Sequence, residues 1–186
     1  MIQKKTAVLL YPYYSLYEMG VTLSILFQAE KPITVFGLST TERVLSEEGF
    51  PALCEALVED VQPEEYDSLL LTGCMQPFDS FMTDDRYVQF IRKFDRADVV
   101  IGAISSSPLL LAKAGMLRDH KFRSGVPEEF MAENGMNPAN SLEDGSYCVD
   151  GNLLTGRGSG FIDFGIQFGK MLGLTFEPGW YGVKAE

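Results

Sequence analysis

Short, almost entirely apolar segments recur along the chain and are separated by longer segments of mixed polarity. A run of four to six apolar residues that ends at Gly, Pro or a polar residue is typical of a strand buried on both faces of a parallel sheet. Four segments have this character: residues 6–11, 33–37, 68–71 and 99–104. Residues 147–149 and 153–155 flank Asp150-Gly151-Asn152, a turn signal that predicts two further paired strands.

The intervening segments carry the spacing of amphipathic helices. Leu16, Met19, Leu23 and Leu26 recur at helical intervals until Pro32. Ser15 is a candidate N-cap for this helix, and Glu18 stands at the capping-box position three residues later. Four further helices are predicted. One starts at Asp84, and a second runs from Pro108 to Gly115 with Ser107 as its N-cap. A third, short helix lies near residues 128–133, and the last spans about 161–172.

The alternation of buried strands and helices predicts an α/β fold: a three-layer, doubly wound, mostly parallel sheet with helices on both faces, as in flavodoxin-like proteins. The 186 residues suit one domain spanning 1–186, and they contain no repeats or interdomain linker. Apolar stretches end well below the ~20 residues that a membrane span needs, so we expect no membrane association.

The net charge is −11, with 26 acidic against 15 basic residues. Nucleic-acid binding requires a basic face, and docking on an anionic membrane has the same requirement. We therefore expect neither partner and interpret the charge as a contribution to solubility.

The three cysteines, Cys54, Cys74 and Cys148, are odd in number and widely separated. Neither CxxC nor histidine-rich spacing is present, so we expect no metal and no cofactor. Reduced, buried thiols in a cytoplasmic protein are the favoured interpretation.

The break at Ser105-Ser106-Ser107-Pro108 carries the strongest local signal for chemistry. It places Ser105 between an apolar strand and a helix, where a nucleophile projects from the sheet and backbone N–H groups can stabilise an oxyanion. Because the GxSxG pattern is absent, the favoured interpretation of this local pattern alone is that the three serines only begin the helix.

Four segments together resemble the ThiJ/PfpI (DJ-1-like) superfamily, whose members have a class I glutamine amidotransferase-like fold. VVIGAISSSPLLLAKAGML (99–117) is similar to its nucleophile elbow, where a strand ends in Ala-Ile-Cys. LLTGRGSGFIDFGIQFGKMLG (153–173) is similar to its TSRGPG-and-helix ending. AVLLYPYYSLYEMG (7–20) and YDSLLLTGC (66–74) resemble its first strand and loop and its strand ending in Pro-Gly-Gly.

The resemblance implies roles for five residues. Ser105 occupies the position of the nucleophilic cysteine, and Glu18 that of the acidic residue which contacts it. Gly73 and the backbone N–H of Ser106 match the oxyanion-stabilising positions, while Cys74 replaces the family's second glycine.

The family's partner histidine would fall at about Gly125, so we expect it to be absent. We expect His120, the chain's single histidine, to lie in an exposed turn without a catalytic role. A serine hydroxyl needs an adjacent base, whereas a cysteine thiol can ionise at a helix N-terminus. Cys74 could substitute for the missing thiol, but a half-buried core cysteine is the favoured interpretation.

Three functional hypotheses follow from the resemblance. The leading one is a remodelled family member, a pseudoenzyme or a catalytically altered protein, that binds a small polar or carbonyl-bearing molecule beside Glu18, Gly73 and Ser105. The second is a hydrolase or amidase that acts by acyl transfer with Ser105 as nucleophile. The third is a non-catalytic interaction protein. The resemblance also implies a homodimer, for which apolar and aromatic residues near element ends, such as Phe27 and Tyr14, give additional support.

Overall fold

A computed structural model describes residues 3–183 of the protein. The strands are β1 (Lys5–Leu9), β2 (Ile33–Gly37), β3 (Val44–Leu45), β4 (Pro51–Ala52), β5 (Ala56–Leu57), β6 (Tyr66–Leu71), β7 (Val100–Ile104), β8 (Tyr147–Asp150) and β9 (Leu153–Gly156). The α-helices are α1 (Leu16–Gln28), α2 (Asp85–Arg92), α3 (Pro108–Ala114), α4 (Glu128–Met131) and α5 (Phe161–Met171).

Seven strands form the central sheet in the order β5-β2-β1-β6-β7-β9-β8. All neighbouring pairs are parallel except β8 and β9, which form an antiparallel hairpin at one edge. Strands β3 and β4 form a separate two-stranded hairpin. The predicted doubly wound, mostly parallel α/β fold is therefore confirmed.

Helices cover the sheet in two packed pairs. Helix α1 packs along α5, and α2 packs along α3. The central strands between them are almost fully buried, as their continuous apolar sequences predict. Because the carboxyl ends of β1, β6, β7 and β9 lie at one edge of this sheet, the loops that follow these strands meet there.

Several predicted boundaries agree with the structure. Strand β2 has the predicted bounds, and α2 begins after Asp84, whose carboxylate accepts a hydrogen bond from the Arg86 N–H at 2.9 Å. Gly115 ends α3 in a left-handed conformation with φ of 85°.

Two expectations near the start of α1 are wrong. Ser15 is the N-cap residue, but its hydroxyl makes no capping hydrogen bond, and the Glu18 carboxylate bonds elsewhere. Glu48, from the turn between β3 and β4, instead accepts hydrogen bonds from the N–H groups of Leu16 and Tyr17 at 3.1 and 3.2 Å. Tyr14 is only 1% exposed, so it belongs to the core and offers no surface for a partner.

Within residues 3–183, no helix combines the length and the apolar character that crossing a membrane would require.

Candidate functional site

Ser105 follows β7 directly and adopts a strained backbone conformation. Its φ of 64° lies in the left-handed region, which non-glycine residues occupy rarely and at a cost. Two backbone hydrogen bonds hold it there. The Ser105 N–H donates to the Gly156 carbonyl, and the Ser105 carbonyl accepts from the Gly125 N–H, both at 2.7 Å. The structure thus builds the sharp strand-to-helix elbow that the sequence predicted.

Glu18 is the buried carboxylate of the site, only 3% exposed on the first turn of α1. Its Oε2 accepts the Gly73 N–H at 2.7 Å, and its Oε1 accepts the Tyr17 hydroxyl at 3.3 Å. Burial raises the pKa of Glu18, although hydrogen bonding from Ser105, from the Gly73 N–H and from Tyr17 works in the opposite direction. The Glu18 carboxylate and the Ser105 side chain both border Gly73 and Gly158, so the structure places the two predicted residues side by side.

Glycines form much of the wall around the Ser105 hydroxyl. A Cβ atom at Gly73 would lie 2.8 Å from Ser105 Oγ and would overlap the Glu18 carboxylate. A Cβ at Gly158 would likewise overlap Glu18 and lie 3.2 Å from Ser105 Oγ. Only glycine at these two positions lets the hydroxyl and the carboxylate approach each other.

The backbone donors expected for an oxyanion are only partly available. The Gly73 N–H is engaged by Glu18, and the Cys74 N–H donates to Ser106 Oγ at 2.9 Å. The Ser106 hydroxyl in turn donates to the Cys74 carbonyl at 2.9 Å. In the part of the chain that the structure describes, the Ser106 N–H has no acceptor. It is therefore the donor that remains free for a ligand.

Cys74 lies beside the site, but its thiol is directed elsewhere. Its Sγ is 3.7 Å from the Pro12 carbonyl oxygen and accepts the Gln76 N–H at 3.4 Å. Burial raises the pKa of the Cys74 thiol, so the thiolate is disfavoured at neutral pH. Burial also raises the thiol pKa of Cys54 and of Cys148.

Gly125 stands at about the position where the family resemblance implies a histidine. A Cβ atom there would lie 3.3 Å from Ser105 Oγ, so a side chain at position 125 would stand directly beside the hydroxyl. His120 Nδ1 lies 3.6 Å from a carboxylate oxygen of Asp150, the last residue of β8 before the turn to β9. The carbonyl of Asn152 in that turn accepts the Ile101 N–H near the start of β7, whereas Ser105 follows the end of β7. His120 is thus at the opposite end of the sheet from Ser105.

Two adjoining cavities open at Ser105. The first, here called the polar cavity, has a volume of about 270 Å³. The second, called the apolar cavity, has a volume of about 180 Å³. Both are lined by Cys74, Met75, Ser105 and Gly125. A larger cavity of about 400 Å³, beside Pro12, Tyr13 and Tyr87, shares no lining residue with either.

The polar cavity includes residues that the sequence pattern did not single out. Tyr17, Glu47 and Arg157 line it together with Glu18. Glu47 belongs to the turn of the β3–β4 hairpin, and its carboxylate accepts the Met75 N–H at 2.9 Å. Tyr17 is adjacent to Glu18, and Arg157 lies within the family-like segment 153–173. Their nearness to these motifs was therefore the one sequence feature that could have identified them as site residues.

Potential metal ligands do not converge anywhere in residues 3–183, since no group of three or more His, Cys, Asp or Glu side chains could hold an ion.

The fold and the site together define an α/β protein with a strained elbow residue beside a buried carboxylate, at the carboxyl edge of a parallel sheet. The family model for the DJ-1/PfpI family matches residues 4–171. The chain belongs to the DJ-1/PfpI family.

Known proteins support this membership. MJ0967, an uncharacterized protein of Methanocaldococcus jannaschii, is 26% identical over 120 residues, covering 63% of this chain and 58% of that protein. The deglycase PH1704 of Pyrococcus horikoshii is 27% identical over 149 residues, covering 80% of this chain and 81% of the deglycase. The DJ-1 superfamily protein Atu0886 of Agrobacterium tumefaciens has a similar structure, with a TM-score of 0.82 at 18% identity, covering 96% of this chain and 94% of that one.

Proposed function

We propose that this protein binds a small carbonyl-containing molecule beside Ser105 and does not perform thiol chemistry there. The observation that carries the proposal is the Ser105 elbow itself. The Ser105 hydroxyl and the buried Glu18 carboxylate line the polar cavity, and Ser106, with its free backbone N–H, lines the adjoining apolar cavity. A carbonyl oxygen is the acceptor that the Ser106 N–H lacks, and donors of this kind orient small ligands.

The absence of sulfur at position 105 argues against the activity named for the deglycase relative. A serine hydroxyl does not ionise near neutral pH, and it cannot form a sulfenic acid. The three native thiols offer no replacement, because burial raises the pKa of each. We therefore expect neither methylglyoxal conversion nor peroxide sensing by this chain.

A serine hydrolase or amidase is the second candidate, favoured by one observation. The raised pKa of Glu18 makes its carboxylate a stronger base than an exposed glutamate, and it faces the Ser105 hydroxyl. Against this, the histidine position is Gly125, and Gly73 N–H is already engaged by Glu18. An acyl-transfer reaction would have one free backbone donor rather than two.

NMR titration with acetamide tests the proposal, because acetamide is a small, uncharged and unreactive carbonyl compound. We expect it to shift the amide resonances of Ser106 and Gly125, and Ser105→Ala to weaken its binding about threefold or more through loss of one hydrogen bond. Ser159→Ala, which changes an exposed hydroxyl at the rim of the polar cavity, is the matched control.

Reaction with a fluorophosphonate probe separates the two candidates. A binding protein should remain unlabelled, whereas an activated serine should be modified at position 105. Stoichiometric labelling of Ser105 would replace the binding proposal with the hydrolase. If acetamide does not shift the amide resonances of Ser106 and Gly125, the binding proposal is rejected.

We also propose that the protein resides in the cytoplasm. Its three cysteines are free and buried, which suits a reducing compartment. Recovery of the protein with cytoplasmic markers after cell fractionation is the expected result.

A further inference from the structure

We infer that the ligand is elongated: a carbonyl group beside Ser105 continues into an aromatic group that occupies the apolar cavity and packs against Phe78 and Phe130. This inference rests on the proposed function and specifies the class of molecule that the same site takes.

The two cavities adjoin at the elbow residue. Ser105 and Gly125 line both, and so do Cys74 and Met75. A group held at the Ser105 hydroxyl can therefore extend into either cavity. Ser106, whose backbone N–H is free, lines the apolar one. A carbonyl bound to that N–H would direct the remainder of its molecule along the apolar wall.

The chemistry of the apolar cavity selects the second half of the ligand. None of its lining residues is charged, in contrast to the polar cavity with Glu18, Glu47 and Arg157. Its apolar wall consists of Pro77, Phe78, Leu109, Val126, Pro127 and Phe130. A volume of about 180 Å³ suits one aromatic ring, since an apolar cavity of roughly 150 Å³ is known to accept benzene.

Phe78 and Phe130 form the aromatic part of this wall. Their ring centroids are 6.1 Å apart, and the ring planes are inclined by 47°. The two side chains remain 46% and 43% exposed, so their faces retain area that a ligand could cover. An aromatic ring placed against them would gain both burial of apolar surface and edge-to-face contact.

Gly125 leaves space free where the two cavities adjoin. A Cβ atom at this position would stand 3.3 Å from Ser105 Oγ, at the junction of the cavities. The lack of a side chain thus has two consequences: it removes a possible base for Ser105, and it provides the space through which an elongated ligand passes.

Comparison of phenylacetamide with acetamide tests the inference, since the two probes share the carbonyl group and differ in the ring. We expect wild-type protein to bind phenylacetamide at least ~10-fold more tightly than acetamide, with shifts at Val126 and Phe130 as well as Ser106. Phe130→Ala and, independently, Phe78→Ala should reduce this preference to less than about threefold, while acetamide binding stays unchanged.

Phe50→Ala removes an exposed phenylalanine that lines neither cavity, and it should leave both affinities as in the wild type. The NMR spectrum of each variant reports directly whether it is folded. Two results would show that the inference of an elongated ligand is wrong while the proposed function stands. In the first, acetamide binds at Ser106 but phenylacetamide binds no more tightly. In the second, the folded Phe78→Ala and Phe130→Ala variants both keep the full preference for phenylacetamide. If neither probe affects Ser106 and Gly125, the proposed function itself fails.

Discussion

At the scale of single residues, the site presents a serine hydroxyl where the family resemblance implies a cysteine thiol. Ser105 has the backbone conformation, the buried carboxylate and the glycine walls of a nucleophile elbow, but its oxygen does not ionise near neutral pH. The surrounding structure does not depend on sulfur, because its hydrogen bonds to the elbow are made by the backbone.

Ser105→Cys is therefore expected to create a peroxide-sensitive thiol that the natural chain lacks. The buried Glu18 opposes ionisation of the new thiol, but the exposed opening at Gly125 admits the oxidant. Mass spectrometry should find oxidation at position 105 and leave the three buried native cysteines unmodified.

Ser159→Cys is the matched control, because it places an exposed thiol at the rim of the same cavity. Oxidation at position 159 without oxidation at 105, under the same peroxide exposure, would show that the elbow does not present its side chain to the cavity.

At the scale of elements, the β3–β4 hairpin and α1 are joined by a cap that comes from distant sequence. Glu48 accepts the first N–H groups of α1, while the Ser15 hydroxyl is buried without a hydrogen-bond partner among the described residues. Burial of Glu48 opposes its ionisation, but hydrogen bonds from Ser46 and from the N–H groups of Tyr17 and Leu16 outweigh this and lower its pKa.

Glu48→Gln should lower the free energy of unfolding by about 0.5–1 kcal/mol at pH 7, a small value because Glu48 is exposed to solvent. A carboxyl group with a lowered folded pKa stabilises the protein above its ordinary pKa of about 4.3. The difference between wild type and variant should therefore vanish as the pH falls through the lower, folded pKa. Urea denaturation at pH 7 and at pH 3 measures it.

Glu42→Gln, a change at an exposed glutamate just before the hairpin, provides the control and should have no effect at either pH. Ser15→Ala should also be neutral or slightly stabilising, because it removes a buried hydroxyl without a partner. If Ser15→Ala lowers the free energy of unfolding more than Glu48→Gln does, Ser15 caps the helix as the sequence predicted.

Individual elements show which features could be predicted from the sequence and which could not. Strand β2 was predictable because Pro32 and the apolar run that ends at Gly37 are local signals. The elbow and Glu18 were predictable through family-like motifs. The cap by Glu48 and the pairing of Phe78 with Phe130 were not, because both depend on where separate loops meet after folding. The local capping rule was misleading at Glu18, whose carboxylate bonds the Gly73 N–H, 55 residues away.

At the scale of the whole molecule, two aromatic side chains are much more exposed than the other aromatic residues that the structure describes. Phe27 is 85% exposed at the end of α1, and Trp180 is 79% exposed in the segment 178–181. Gln28 and Tyr181, their neighbours in sequence, are joined by a hydrogen bond of 2.7 Å. The two apolar side chains thus belong to adjacent segments of one surface, which suits contact with a second copy of the chain.

We expect a homodimer in solution, with a molecular mass by light scattering of twice that of one chain. Because each chain carries a net charge of −11, added salt should strengthen the association by screening repulsion. Phe27→Glu should raise the dissociation constant about 10-fold or more. Leu53→Glu, which adds the same charge at another exposed apolar position, should have a much smaller effect. A monomer at micromolar concentration in both low and moderate salt would contradict this expectation.

Because of the left-handed backbone at Ser105, the position of the functional group does not depend on its chemical identity, whereas most substitutions change both. The direction of the side chain is set by main-chain hydrogen bonds that join the elbow to Gly156, at the end of β9, and to Gly125. The identity of the side chain takes no part in those bonds. A change of chemistry at position 105 therefore needs no change of architecture, and one scaffold can present a hydroxyl, a thiol or a methyl group to the same ligand from the same direction.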